Sequence, residues 1–121
     1  TSRDTGRWII PKGWPISGLK TSEAALQEAW EEAGVLNSKA PLQPIGTYTY
    51  DKVLSAGLPV PVETLVFPVD VKKLSSDFPE ASERERKWVS PEAAAELVKE
   101  GELKEILRRM TNLFPQNVLH S

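Results

Sequence analysis

Apolar and polar positions along the chain alternate with two distinct periods. Between Thr21 and Gly34, the residues Leu26, Ala29, Trp30 and Ala33 recur at i, i+3, i+4 and i+7, which is one face of a helix, and Glu28, Glu31 and Glu32 take the other face. This predicts a helix near 22–33 with Leu26, Ala29 and Ala33 turned to the core, closed by Gly34 in a left-handed cap. Pro11, Gly13, Pro15 and Gly18 make the preceding segment a loop. Leu103, Ile106, Leu107 and Met110 repeat the helical spacing and predict a helix near 102–114 that Pro115 stops. Ser90 and Pro91 have the chemistry of an N-cap and first helical residue, opening a helix near 90–99 whose apolar side is Ala93, Ala94, Leu97 and Val98.

Short runs rich in β-formers predict strands near 7–10, 45–50, 62–69 and 85–89. The connection from Asp51 to Pro61 contains Gly57 and Pro59 and is too long for a tight hairpin, and Pro68 points to an edge or a bulge. Polar Lys72 to Glu83 reads as a surface loop. Strands interleaved with helices imply an α/β fold, with helices packed on both faces of a mixed sheet.

Composition narrows the function classes. The 121 residues suit one domain spanning 1–121. A net charge of −2 gives no global attraction to a nucleic acid duplex or an anionic membrane. With no cysteine, thiolate and disulfide chemistry are excluded, and the one histidine, His120, sits at the end of the chain and does not suggest a histidine mechanism. No apolar run has the length of a membrane helix and no signal-peptide pattern opens the chain, so a cytoplasmic protein, monomeric or homodimeric, is expected.

Candidate chemistry lies in the helix acids. Glu28, Glu31 and Glu32 stand one turn apart at most, and their mutual repulsion calls for a cation. Oxygen ligands without His or Cys suit Mg²⁺ or Mn²⁺, acting together with the phosphates of a small-molecule substrate. Taken alone, three acids on an amphipathic helix are more often just a solvated face.

The loop and helix together change that balance. PKG followed by QEAWEEAGV resembles the Nudix box, G-x5-E-x7-R-E-U-x-E-E-x-G-U, with Gly13, Glu28, Ala29, Glu31, Glu32, Gly34 and Val35 in register. Leu19 stands where the family has Glu and Gln27 where it has Arg, a loss of two opposite charges that leaves no stranded partner. TSRDTGRWIIP and ERERKW are further similar to segments of the diphosphoinositol polyphosphate and diadenosine polyphosphate phosphohydrolases. The resemblance implies an α/β/α sandwich that lacks its N-terminal strand or strands in this chain. It also implies a Mg²⁺-dependent pyrophosphohydrolase, with Glu28, Glu31 and Glu32 as metal carboxylates and Glu31 as the base. On the same basis Ser2, Arg3, Arg7, Lys12, Gly13, Arg84 and Arg86 would meet substrate phosphates, with Lys52 a weaker candidate. The alternative raised by Leu19 and Gln27 is a Nudix-fold module that binds a phosphorylated ligand without cleaving it.

Overall fold

A computed structural model describes residues 1, 2, 6–36, 38–53 and 56–113, with side chains through Met110. The elements in order are α1 (Thr21–Ala33), β1 (Val35–Leu36), β2 (Gly46–Val53), β3 (Pro59–Val66), β4 (Lys73–Leu74), α2 (Pro91–Leu97) and α3 (Gly101–Leu113). The strands form antiparallel pairs, β2 with β3 from Gly46↔Val66 to Val53↔Pro59, and β1 with β4. The α/β class expected from the sequence holds, and both pairings among the described residues are antiparallel.

The main core lies between the β2–β3 ribbon and the α2–α3 pair. Tyr48 and Leu103, each 1% exposed, meet there with Val66, Ala95, Val98, Ile106 and Leu107. The apolar stripe of α3 therefore does what its spacing dictates, and Met110 packs at its edge. Burial pushes the Tyr48 hydroxyl up from its ordinary range, and a hydrogen bond with Thr64 offsets part of the cost. Ser90 caps α2 by accepting from the Ala93 N–H at 3.2 Å, and Lys104 Nζ donates to the Ala95 carbonyl at 2.8 Å, tying α3 to α2.

Several expected elements are revised. Residues 7–10 and 85–89 are not strands, because their peptide groups find no continuous ladder among the described residues. Isolated hydrogen bonds tie these segments to the start of the chain instead. Ser2 N–H donates to the Arg7 carbonyl at 2.8 Å, Thr1 N donates to the Glu85 carbonyl at 2.8 Å, and Glu85 N–H donates to Thr1 Oγ1 at 2.9 Å. β3 runs from Pro59 to Val66 rather than 62–69, since Pro68 has no N–H to extend the pairing. The hairpin connection is accordingly shorter than expected. The polar stretch after Lys72 contains β4 and the buried Phe78, so it is more than a surface loop.

The orientation of α1 is the main correction. Ser22, Ala24, Ala29 and Glu32 are its buried residues, while Leu26 and Trp30 are only half-buried and border a shallow outer groove with Leu19, Val35 and Leu36. The predicted stripe mixes two faces: Ala29 belongs inside, but Leu26 and Trp30 lie on the side away from Ala24 and Glu32. Hydrophobicity alone favoured the large side chains. The inner face instead uses small residues and a carboxylic acid.

Gly34 ends α1 at φ 73°, and its N–H donates to the Trp30 carbonyl at 2.9 Å. A Cβ at this position would lie 2.5 Å from the Ser75 carbonyl oxygen and 2.7 Å from both Phe78 Cδ1 and Arg86 Nη1. Gly34→Ala thus combines left-handed strain with a backbone clash and is expected to cost on the order of 2–4 kcal/mol, read as a lower urea midpoint at unchanged m-value.

Candidate active site

Two elements build the site: the inner face of α1 and the loop that enters it. Spacing of four residues stacks Glu28 and Glu32 one above the other, and their carboxyl groups share a hydrogen bond. Gly13 covers this pair from the loop, and a Cβ on Gly13 would overlap the Glu28 carboxyl group. Glycine permits this close approach, and no unusual φ is involved. The next peptide toward the N-terminus points the Lys12 N–H at Glu32 Oε1, 3.5 Å away.

Glu32 is 6% exposed, and the described charge that reaches it is Arg84, whose Nη1 lies 3.2 Å from Oε1. Burial and the hydrogen bond with Glu28 push the Glu32 acid up to about 8, against the opposing pull of Arg84 and of the Lys12 N–H. The pair consequently holds a proton near neutral pH. Arg84 also donates through Nε to Glu80 Oε1 at 2.8 Å and through Nη1 to the Thr1 carbonyl at 2.9 Å.

Beside Glu28 opens a cavity of about 810 Å³, lined by Gly13, Trp14, Glu28, Tyr50, Lys52 and β3 from Val60 to Val66. Lys12 Nζ donates to the Tyr50 hydroxyl at 3.2 Å and lies 4.6 Å over the Tyr50 ring, while Lys52 Nζ lies 5.6 Å over the 55%-exposed Trp14. The rim is thus cationic and aromatic, and the wall is apolar.

The structure brings together Lys12, Gly13, Glu28, Glu32 and Arg84 from the residues the sequence singled out. Glu31 is set apart: its Oε2 accepts from Gln27 Nε2 at 2.9 Å on the shoulder of α1. The expected convergence of three carboxylates is therefore corrected to a pair, and no group of three or more potential metal ligands occurs among the described residues. The reason is geometric, since Glu31 is rotated from both partners by more than Glu28 is from Glu32. Arg86 is also elsewhere, donating to the Ala33 carbonyl at 2.6 Å and stacking 4.8 Å over Phe78. Arg7 lies 4.0 Å from Glu100, and the Ser2 carbonyl accepts from Gly6 N–H at 3.0 Å. Arg3 and His120 lie outside the described residues. Sequence reasoning missed Glu80, Tyr50 and Trp14. The i, i+4 spacing of Glu80 and Arg84 was a visible signal, whereas the approach of Tyr50 to Lys12 depends on tertiary packing alone.

The family model for the NUDIX domain matches residues 1–113. Among curated proteins, Nudix hydrolase 21, chloroplastic, from Arabidopsis thaliana is 32% identical over 105 residues, which is 86% of this chain and 50% of that protein. The chain thus spans about half the length of the curated relative it matches. No solved structure matches the chain.

The raised Glu32 acid makes stability depend on pH. Between the ordinary value of 4.5 and about 8, the folded chain keeps a proton that the unfolded chain releases, so stability falls as pH rises through that window and levels off above it. In chelator-treated protein the slope should approach, at its steepest, about 1.4 kcal/mol per pH unit, and Glu32→Gln should flatten it. Urea unfolding from pH 5 to 9 makes the comparison.

Proposed function

The chain belongs to the Nudix family, and we propose that it is a hydrolase of phosphoric anhydrides that cleaves the diphosphate linkage of a nucleoside diphosphate derivative. The observation that carries this reading is the hydrogen-bonded Glu28–Glu32 pair, pressed under Gly13 at the edge of a cavity with a lysine-bearing rim. Two adjacent carboxylates fit a hard divalent ion. Mg²⁺ commonly takes one or two protein carboxylates and completes its shell with waters and substrate phosphates.

In this proposal Glu28 and Glu32 would hold Mg²⁺ or Mn²⁺. When bound, the ion supplies Lewis-acid stabilisation of phosphoryl oxygens and a more acidic water. The chain's own residues do the rest. Lys12 and Lys52 lie at the cavity rim, where ammonium groups attract a diphosphate, and the Gly13 backbone lets it come close to the pair. The role of base for the attacking water is kept for Glu31 on the strength of the sequence resemblance; its Oε2 accepts from Gln27 Nε2 outside the pair.

Dinucleoside polyphosphates and diphosphoinositol polyphosphates belong to the same proposal on the strength of the sequence resemblance. The internal contacts of Arg84 and Arg86 argue for fewer phosphate ligands than a densely phosphorylated inositol calls for. No described helix is long and apolar enough to cross a membrane. We propose a cytoplasmic site of action and a single domain over 1–121, as monomer or homodimer. The relative's printed name makes the chloroplast the competing compartment, to be separated by cell fractionation.

Hydrolysis of ADP-ribose, diadenosine polyphosphates, nucleoside triphosphates and a diphosphoinositol, with and without Mg²⁺, tests the reading. Metal-dependent turnover on a nucleoside diphosphate derivative is expected, with Glu31→Gln lowering kcat by about 10²- to 10⁴-fold and Leu19→Glu with Gln27→Arg changing it little. Absence of turnover in the native chain together with its appearance in the Leu19→Glu, Gln27→Arg variant would instead make the chain a binding module. Gly13→Ala should leave the fold intact but push the Glu28 carboxylate off Glu32, so that the Mg²⁺ concentration at half-maximal rate rises.

A further inference from the structure

Helix α1 contains no lysine or arginine, yet Glu32 on its inner face is almost wholly buried. At the position where the family pattern has Arg, this chain has Gln27, and the Gln27 amide is engaged with Glu31 rather than Glu32. A buried carboxyl group without a cation or donors would be costly and free to turn away. The cation arrives from a distant segment. Arg84 is 10% exposed, and its guanidinium is divided between Glu32 through Nη1 at 3.2 Å and Glu80 through Nε at 2.8 Å, with the Thr1 carbonyl as a further acceptor at 2.9 Å. Glu80 is itself fixed beside the site, because its N–H donates to the Glu31 carbonyl at 3.0 Å. The links through Glu32 and Glu80 therefore lead back to the same turn of α1.

We infer that Arg84 is a positioning residue that holds the Glu32 carboxylate for its ligand, in place of a basic residue on the helix, and is not a clamp on substrate phosphate. The inference rests on the reading of Glu32 as a metal carboxylate. Its geometry is specific to arginine: the planar fork presents Nε and Nη1 to two acids at once, which a single lysine ammonium does not reproduce. With these donors directed inward and the group buried, phosphate would have to displace two carboxylates to reach it.

Mn²⁺ binding, followed by the electron paramagnetic resonance of the free ion, separates the possibilities. It is measured on the wild-type chain, Arg84→Met, Arg84→Lys, Glu32→Gln and the Arg84→Met, Glu32→Gln double variant, with circular dichroism reporting folding. Glu32→Gln should lose most Mn²⁺ affinity. Arg84→Met should bind Mn²⁺ about 10- to 100-fold more weakly, the usual effect of removing a group that orients a ligand, and should add nothing in the Glu32→Gln background. Arg84→Lys, which serves if the methionine variant does not fold, should also bind measurably more weakly. Wild-type affinity in a folded Arg84 variant, with Glu32→Gln still impaired, overturns the role of Arg84 alone. So does unchanged Mn²⁺ affinity accompanied by weaker binding of inorganic pyrophosphate, the behaviour of a phosphate clamp. Equal Mn²⁺ binding by wild type and Glu32→Gln overturns both the metal-carboxylate reading and the inference built on it.

Discussion

A buried acid on the inner face of α1 is the constraint around which the site is arranged. Glu32 is excluded from solvent, and every group that approaches it compensates for that exclusion: the Lys12 N–H, the Arg84 guanidinium and the carboxyl of Glu28 with its shared proton. These partners come from three separate stretches of the chain. Satisfying one carboxyl group therefore fixes the entry loop, the helix and the segment after Glu80 against one another. Breaking such a network by removing one partner costs more than its net worth as a whole, because the remaining groups stay buried and unpaired.

Much of the fold was legible in the sequence because its signals were local. The α3 stripe, the Ser90–Pro91 start and the Gly34 stop each act within a turn or two of helix, and all appear where the pattern places them. The β2–β3 ribbon was also visible, though Pro59 and Pro61 were read as loop residues when they begin a strand. Residues 7–10 and 85–89 failed as strands for a nonlocal reason. β-propensity reports that a side chain suits a pleated surface, and says nothing of whether a partner ladder is present. At the site, the loop glycine and the carboxylates were recognisable from spacing. The separation of Glu31 from Glu28 and Glu32 was not, because it depends on which face of α1 turns inward.

That orientation is decided by size as much as by hydrophobicity. Leu26 and Trp30 are the most apolar residues of the helix, but the inner surface is formed by Ala24, Ala29 and the half-buried Ala25. Large side chains there would hold the entry loop away from the helix. With alanines, the backbone around Gly13 comes down onto Glu28, and the Lys12 N–H reaches Glu32. Part of the apolar surface that a conventional amphipathic helix buries is left in the groove beside Leu19, which lowers the packing return from α1.

The same geometry explains how a helix without a basic residue accommodates acids at 28, 31 and 32. One proton on the Glu28–Glu32 pair removes a negative charge, Arg84 balances another, and Gln27 satisfies Glu31 without adding charge. Repulsion is thus relieved by different means on the two sides of the helix. The inner pair remains close and shares a proton, while the outer carboxylate sits on the more exposed shoulder of α1. Leu19 and Gln27 fit this scheme: the arginine and glutamate of the family pattern are absent together, and the cation beside the buried acid is supplied across the fold by Arg84.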